Sequence, residues 1–329
     1  MAQPTDHDRP VLVTGGAGFV GANLVRHLGR SGRSVRVLDS LVNGRTDYLD
    51  GTGAELVEGD ILDGDAVAAA MTGVRDVVHL AAAGSVVESV SDPWGNFESN
   101  VRGTLSVLDA ARRTGVERLV FSSTGGALIG DAAPPVSEES VPRPLSPYGA
   151  SKAAAEAYCH AFAKSYGLRT VALRFANVYG PYSGHKKGAV TAFFRALHAG
   201  EPLTVFGTGT ASRDFMHVDD ICAALMLALT ADVPGGSVMH VATGVETTVN
   251  ELAALCADVA GRPGHPIDRR PARPGEVDRN FARYDLAAKL LGFEPTVALR
   301  DGLAGTWDWY AEHVFVEGSP YGAERLTDA

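Results

Sequence analysis

Residues 10–28 read PVLVTGGAGFVGANLVRHL, and this stretch decides the fold. Its apolar run at 10–14 has the length and branching of a buried strand. A glycine cluster follows, and from Val20 to Leu28 the apolar residues recur at helical spacing. Strand, glycine turn and helix in this order give each glycine a task. Gly15 permits the tight turn, Gly18 lets a backbone approach a pyrophosphate, and Gly21 lets the helix pack closely. The free amides of the helix start then face the phosphates with a favourable dipole.

Working outward, residues 34–38 (SVRVL) form a second strand ending in Asp39, 18 residues after Gly21. A carboxylate there accepts hydrogen bonds from both hydroxyls of an adenosine ribose and repels a 2′-phosphate, so the dinucleotide expected is NAD rather than NADP. Asp60-Ile61 closes a third strand, where a side chain can meet the adenine amino group and an aliphatic residue can cover the ring; Asp60 fits an ordinary turn or cap equally well. Further strand signals at 74–80, 118–122 and 170–175 alternate with helical patterns at 96–114 and 148–166. This is the rhythm of right-handed βαβ units, and it predicts an α/β, doubly wound parallel Rossmann sheet. After Tyr179 the pattern loosens, then returns with an apolar helix at 217–231 and a strand at 237–241. The expected organisation is an NAD-binding domain over 1–178 with 217–242 returning to it. A smaller, discontinuous α/β substrate domain takes 179–216 and 243–329.

The chain has 329 residues, a net charge of −10, and 45% hydrophobic and 7% aromatic side chains. That excludes disorder and collagen-like repetition, and the acidic balance argues against a nucleic-acid surface. The longest apolar run, 221–229, is too short to span a bilayer. The N-terminal MAQPTDHDRP lacks the apolar stretch of a signal peptide or anchor, so a cytoplasmic protein is expected. Cys159, Cys222 and Cys256 form no CxxC pair, and buried reduced thiols are expected rather than a disulfide or metal site.

Tyr148 and Lys152 follow Ser146-Pro147 at i,i+4 spacing, which places both on one helix face. An ammonium beside a phenol stabilises the phenolate, and the charge of an oxidised nicotinamide adds to this, drawing the tyrosine pKa from about 10 toward neutrality. Ser122 and Thr124 (FSST, 121–124) end a strand at the edge where open α/β sheets place ligands. A hydroxyl there can hydrogen-bond an oxygen that gains or loses a proton. His79 reads as a structural residue of a buried strand end, and His217 as a helix-start residue.

TGGAGFVG (14–21), the acidic strand end, GDI (59–61), HLAA (79–82), FSST, YGASK (148–152), SRDFMHVDD (212–220) and RPGE (273–276) together resemble the extended short-chain dehydrogenase/reductases. Among these the chain is similar to nucleotide-sugar 4-epimerases of the UDP-glucose 4-epimerase type, from Val11 to about Trp309. The resemblance implies a catalytic triad of Thr124, Tyr148 and Lys152 and a tightly held NAD. It implies cofactor contacts at Gly15, Phe19, Val20, Asp39, Asn43, Gly44, Asp60, Ile61, Leu80, Ala81, Ala82, Asn100, Ser122, Tyr148, Lys152 and the backbone of Phe175. Substrate contacts are implied at Asn177, Ala189, Val190, Val205, Phe206, Arg213, Arg273 and Glu276. The arginines suit a diphosphate because a guanidinium donates parallel hydrogen bonds to phosphate oxygens. Two departures stand out. Gly84 replaces a lysine that in some relatives helps with the cofactor phosphates. Thr124 is followed by Gly125-Gly126-Ala127, where dehydrating or decarboxylating relatives carry acidic residues.

The expected activity is C4 epimerisation of a UDP-hexose through a transient 4-keto sugar, with UDP-glucose and UDP-galactose as the pair. His185-Lys186-Lys187 borders the sugar in relatives, and Lys187 or its neighbour could receive a C6 carboxylate, which makes UDP-glucuronate the alternative. N-acetylated sugars and a dTDP nucleotide remain open. A one-way reductase or dehydrogenase ranks behind these, and a non-enzymatic NAD-sensing protein ranks last because it would not need the hydroxyl–Tyr–Lys set. Leu105, Leu108, Ala153, Ala157, Ala161 and Phe162 line two helices with more apolar surface than one sheet contact consumes. A homodimer built on those helices is expected, as the resemblance also implies.

Overall fold

The computed structural model describes residues 9–272, 277–319 and 321. Six strands open the central sheet: β1 Val11–Thr14, β2 Val35–Asp39, β3 Glu55–Glu58, β4 Asp76–His79, β5 Arg118–Thr124 and β6 Arg169–Phe175. The strand Ser237–Val241 joins them, and the spatial order is Ser237–Val241, β6, β5, β4, β1, β2, β3, every pairing parallel. This is the doubly wound Rossmann sheet that the alternating pattern predicts.

Both faces of the sheet are covered, and the period of two along a strand sorts residues between them. Val11 and Val13 of β1 pack with the helices Phe19–Arg30 and Val218–Thr230. Leu12 between them turns to the opposite face, where the helices Gly64–Ala70, Gly103–Thr114 and Pro147–Tyr166 bury Val67, Val107, Leu108, Ala155 and Phe162. Leu108 and Phe162 therefore cover the sheet, and the sheet consumes part of the surface expected to join a partner.

A second lobe is built around Phe193, Phe194, Leu197, Leu252, Cys256, Leu303 and Tyr310 from the helices Ala189–Ala199, Val249–Val259 and Leu299–His313, and Ala22 and Tyr48 of the first lobe join this core. Short pairings connect the lobes: Asn177–Tyr179 lies parallel to Phe215–His217. The buried Asp214 carboxylate accepts hydrogen bonds from the amides of Thr243 and Gly244 and from the Thr243 hydroxyl. The three cysteines are buried and free. Among the described residues no helix is long and apolar enough to cross a membrane, and no cluster of metal-ligating side chains occurs.

Candidate active site

The glycine turn does what its spacing predicts. Gly15 sits at φ +70°, and a Cβ there would lie 2.7 Å from the Ala81 amide nitrogen. A Cβ on Gly21 would fall 2.2 Å from the Gly15 carbonyl oxygen, so glycine at 15 lets the turn approach the backbone beyond β4 and glycine at 21 lets the helix start approach the turn. The helix Phe19–Arg30 begins at Gly18 with no side-chain cap and no acidic residue in its first turn. Its first amides and the positive end of its dipole are thus left for an anion, as a dinucleotide pyrophosphate requires.

Asp39 ends β2 nearly buried, at 8% exposure. One carboxylate oxygen accepts from the Ala17 amide and the other from the Leu41 amide, each at 2.9 Å. The carboxylate is fixed against the glycine turn and each oxygen keeps a lone pair for a ribose hydroxyl. A Cβ on Gly44 would lie 2.5 Å from that carboxylate, which explains the glycine. Asn43 is exposed beside it. Asp60 is exposed and accepts the Leu62 amide in a local turn, while Ile61 is buried against Gly103.

Beyond β4, Leu80 and Ala81 are half-buried and Ala82 is exposed. Asn100 pins this loop: its carbonyl accepts the Ala83 amide at 2.8 Å and its amide donates to the Ser151 hydroxyl at 3.0 Å. Asn100 lies in a single π-helical turn, Glu98–Arg102, a local widening often found at functional sites. His79 is fully buried between the hydroxyls of Thr14 and Thr104 at 2.7 and 3.0 Å, and burial pulls its pKa down to about 3. It is a structural residue, as expected. His217 caps the helix Val218–Thr230 by accepting the Asp219 amide.

Three catalytic candidates meet at the carboxyl end of β5. Ser146 caps the helix Pro147–Tyr166 and Pro147 occupies its first turn, so Tyr148 and Lys152 emerge together from the helix start. The Thr124 side chain hydrogen-bonds the Tyr148 phenol. Lys152 is 3% exposed and donates to the Ser122 carbonyl at 2.8 Å, its ammonium 4.8 Å from the centre of the Phe121 ring. Ser122 donates to the His79 carbonyl. Burial pushes the Tyr148 phenol up to about 12, opposed by the Thr124 hydroxyl. The expectation that Lys152 draws the phenol toward neutrality needs correction for the protein chain alone. Desolvation dominates and the ammonium is held by a backbone carbonyl, leaving the added charge of a bound nicotinamide to favour the phenolate.

Some supports were not foreseen. Glu156, one turn beyond Lys152, is buried in a bidentate pair with Arg174 at 3.0 and 2.8 Å and accepts from the Ser123 hydroxyl. This network fastens the catalytic helix to β5 and β6. The Ser89 hydroxyl accepts the Tyr148 amide. Gly125 donates its amide to the Phe175 carbonyl, so that backbone position closes the floor of the site. Gly125 and Gly126 lie against His240 and Asn280, where a Cβ would approach to 3.1 Å in each case.

The substrate candidates scatter more widely. The helix Ala189–Ala199 starts at Gly188 with no side-chain cap and no acid in its first turn, a second uncapped helix start. The Val190 and Val205 side chains are buried in the core of the second lobe, so at Val205, fully covered, a contact with substrate is confined to backbone. Phe206 is half-buried. Asn177 is exposed and donates to the Asp214 carbonyl at 3.2 Å. Arg213 is half-buried and donates to the Ser212 and Asp278 carbonyls. Lys187 is exposed in an ion pair with Glu88 at 3.4 Å. Arg273 and Glu276 lie outside the described residues.

Comparison with known proteins matches residues 11–242 to the NAD dependent epimerase/dehydratase family. A UDP-glucose 4-epimerase of Mycolicibacterium smegmatis is 38% identical over 307 residues, covering 91% of this chain and 97% of the relative. The UDP-glucose 4-epimerase of Thermotoga maritima with UDP-glucose superposes with a TM-score of 0.88 at 36% identity, covering 92% of this chain and 99% of that one. The Thermus thermophilus UDP-glucose 4-epimerase complex with NAD gives a TM-score of 0.85 at 36% identity over the same shares.

Proposed function

This chain belongs to the NAD-dependent epimerase/dehydratase family, and within it we propose that the protein inverts C4 of a UDP-hexose, with UDP-glucose and UDP-galactose as the pair. Its cofactor is NAD, and the uncapped helix start, the glycine turn and Asp39 fit that dinucleotide. Bound NAD supplies the acceptor and donor of the C4 hydride. Tyr148 takes the proton of the 4-hydroxyl and later returns it, with Thr124 hydrogen-bonded to the same phenol. Lys152 braces the floor through the Ser122 carbonyl. The 4-keto sugar turns over in the pocket, so the product differs from the substrate only at C4.

The observation that carries this reading is the Thr124–Tyr148 hydrogen bond beside a loop with no acid. Gly125-Gly126-Ala127 offers no carboxylate to move a C5 proton or assist at C6, which favours epimerisation over dehydration. UDP-glucuronate is the second reading, since a cation near the sugar would recognise its C6 carboxylate. What supports glucose over it is that Lys187 is exposed on Glu88 and Lys186 lies over Phe19.

One assay tests the proposal. Purified protein is given UDP-glucose, UDP-glucuronate, UDP-N-acetylglucosamine and dTDP-glucose separately, without added NAD, and the epimers are resolved by chromatography. Interconversion of UDP-glucose and UDP-galactose at the highest kcat/KM is expected. A 4-keto-6-deoxy product, or strict dependence on added NADP, refutes the reading.

A further inference from the structure

The segment after Asn177–Tyr179 belongs to the second lobe by chain position, yet it is tied to the helix Phe19–Arg30 of the first. Asn23 donates to the Pro181 carbonyl at 3.0 Å, and Arg26 lies 5.0 Å from the centre of the Tyr182 ring. Tyr182 takes a left-handed φ of +67°, a conformation that non-glycine residues keep where surrounding contacts fix it. The Lys186 amide closes a turn on the Ser183 carbonyl. This strap carries the Lys186 ammonium to 5.1 Å from the centre of the Phe19 ring.

Phe19 is the first residue of a helix whose amino end is uncapped and free of acid. A positive end of a helix dipole and a half-buried ammonium have thus been brought together, and like-signed groups in a desolvated place repel. Among the described residues Lys186 has no carboxylate or hydrogen-bond acceptor for its ammonium, and burial holds its pKa below the ordinary lysine value. Lys187, its neighbour, points away to Glu88. The pairing becomes favourable only when an anion lies between the two.

We propose that Lys186 is a ligand of the NAD diphosphate, reaching across from the second lobe to close the cation side of the pyrophosphate site opposite the helix amides. This rests on NAD being held at the glycine turn and not on which sugar is epimerised. Its consequence is that cofactor retention depends on the strap, so the lobe that takes the sugar also locks the dinucleotide.

The experiment follows release of NAD from the holoprotein. Protein carrying its bound NAD is diluted into excess NADH, and exchange is read from tryptophan-to-nicotinamide energy transfer. Lys186→Gln should release NAD about tenfold faster, the scale of one partly desolvated charge contact, and Lys186→Arg should stay within about threefold of the parent. Added salt should speed release from the parent more than from Lys186→Gln, because only the parent has that charge to screen. Lys187→Gln should leave release unchanged. Calorimetric titration with UDP serves as the second readout, and its affinity should be unaltered in Lys186→Gln. Unchanged NAD release overturns the proposal. So does weakened UDP binding with normal NAD release, which would give the ammonium to the substrate diphosphate. If Lys186→Gln does not fold, Lys186→Met takes its place as a neutral side chain of similar length. Neither readout needs epimerase activity, so loss of the sugar assignment leaves the test intact.

Discussion

A phenol that burial pushes up to about 12 is scarcely ionised near neutrality, so little of the base form is present, and the site depends on what lowers that pKa. Within the chain that influence is the Thr124 hydroxyl. A general base works deprotonated, so turnover should rise as pH climbs toward the phenol's pKa in the loaded enzyme. Thr124→Ala removes the stabilising hydrogen bond; its rising limb should shift to higher pH, with turnover near pH 7 reduced about ten- to a hundredfold, the energy of one charge-assisted hydrogen bond or somewhat more. Tyr148→Phe should lower turnover by about two to four orders of magnitude while NAD stays bound. Steady-state rates across pH, with bound NAD measured after denaturation, check both. A Thr124→Ala profile that drops without moving along the pH axis would deny the hydroxyl its influence on the phenol.

At the scale of elements, the catalytic residues stand or fall with the seating of the helix Pro147–Tyr166. Gly149 is the contact that sets it: a Cβ there would lie 2.0 Å from the Ala127 carbonyl oxygen. Alanine normally stabilises a helix interior by about 1 kcal/mol relative to glycine. Here the clash with backbone outweighs that gain, and Gly149→Ala should cost about 1–3 kcal/mol in denaturant unfolding and displace Tyr148, lowering kcat more than it raises KM. A stabilised Gly149→Ala with normal kcat would show that the helix start has slack. Much of this architecture was legible in the chain. The strand Ser237–Val241 and the Gly15–Gly21 turn announce themselves because apolar period and glycine spacing are local properties. Glu156 was not legible, since four residues after a lysine it reads as half of a solvated helical pair, and only the fold brings Arg174 and Ser123 to it. The π-helical turn at Asn100 leaves no mark either, because one extra residue in a turn changes hydrogen bonding without changing composition. Leu108 and Phe162 misled for a related reason: apolar spacing reveals a face but not which surface it meets.

At the scale of the whole molecule, two properties belong to the assembled fold rather than to any element. The first is acid sensitivity. Burial pulls His79 to about 3 and His240 to about 4, against an ordinary value of 6.5. Between the folded and unfolded values the unfolded chain binds protons that the folded chain refuses, so stability falls as pH drops below about 6.5, by about 1.4 kcal/mol per pH unit for each histidine. Urea melts at pH 7 and 5 should show the loss, and a flat profile would mean these rings are protonated in the fold. The second is association. With Leu108 and Phe162 taken by the sheet, other apolar side chains are left in solvent, among them Val87, Val90, Trp94 and Phe97 at 76%, 64%, 77% and 46% exposure. The helices Val86–Ser91 and Pro93–Phe97 that carry them pack beside Pro147–Tyr166, whose Ala157, Ala161, Tyr158 and Tyr166 are also exposed. Exposed apolar side chains on three neighbouring helices are what an interface would use. A second copy is the occupant that a two-fold axis beside Pro147–Tyr166 would supply, because an isologous contact lets one apolar face cover itself. Light scattering at micromolar concentration should give the mass of a dimer. Ala161→Arg sets one charge against its symmetry mate or against a desolvated neighbour, and it should yield a monomer that keeps its circular dichroism. A parent protein of monomeric mass, or an Ala161→Arg dimer as stable as the parent, places the interface elsewhere and leaves the Trp94 patch to another partner.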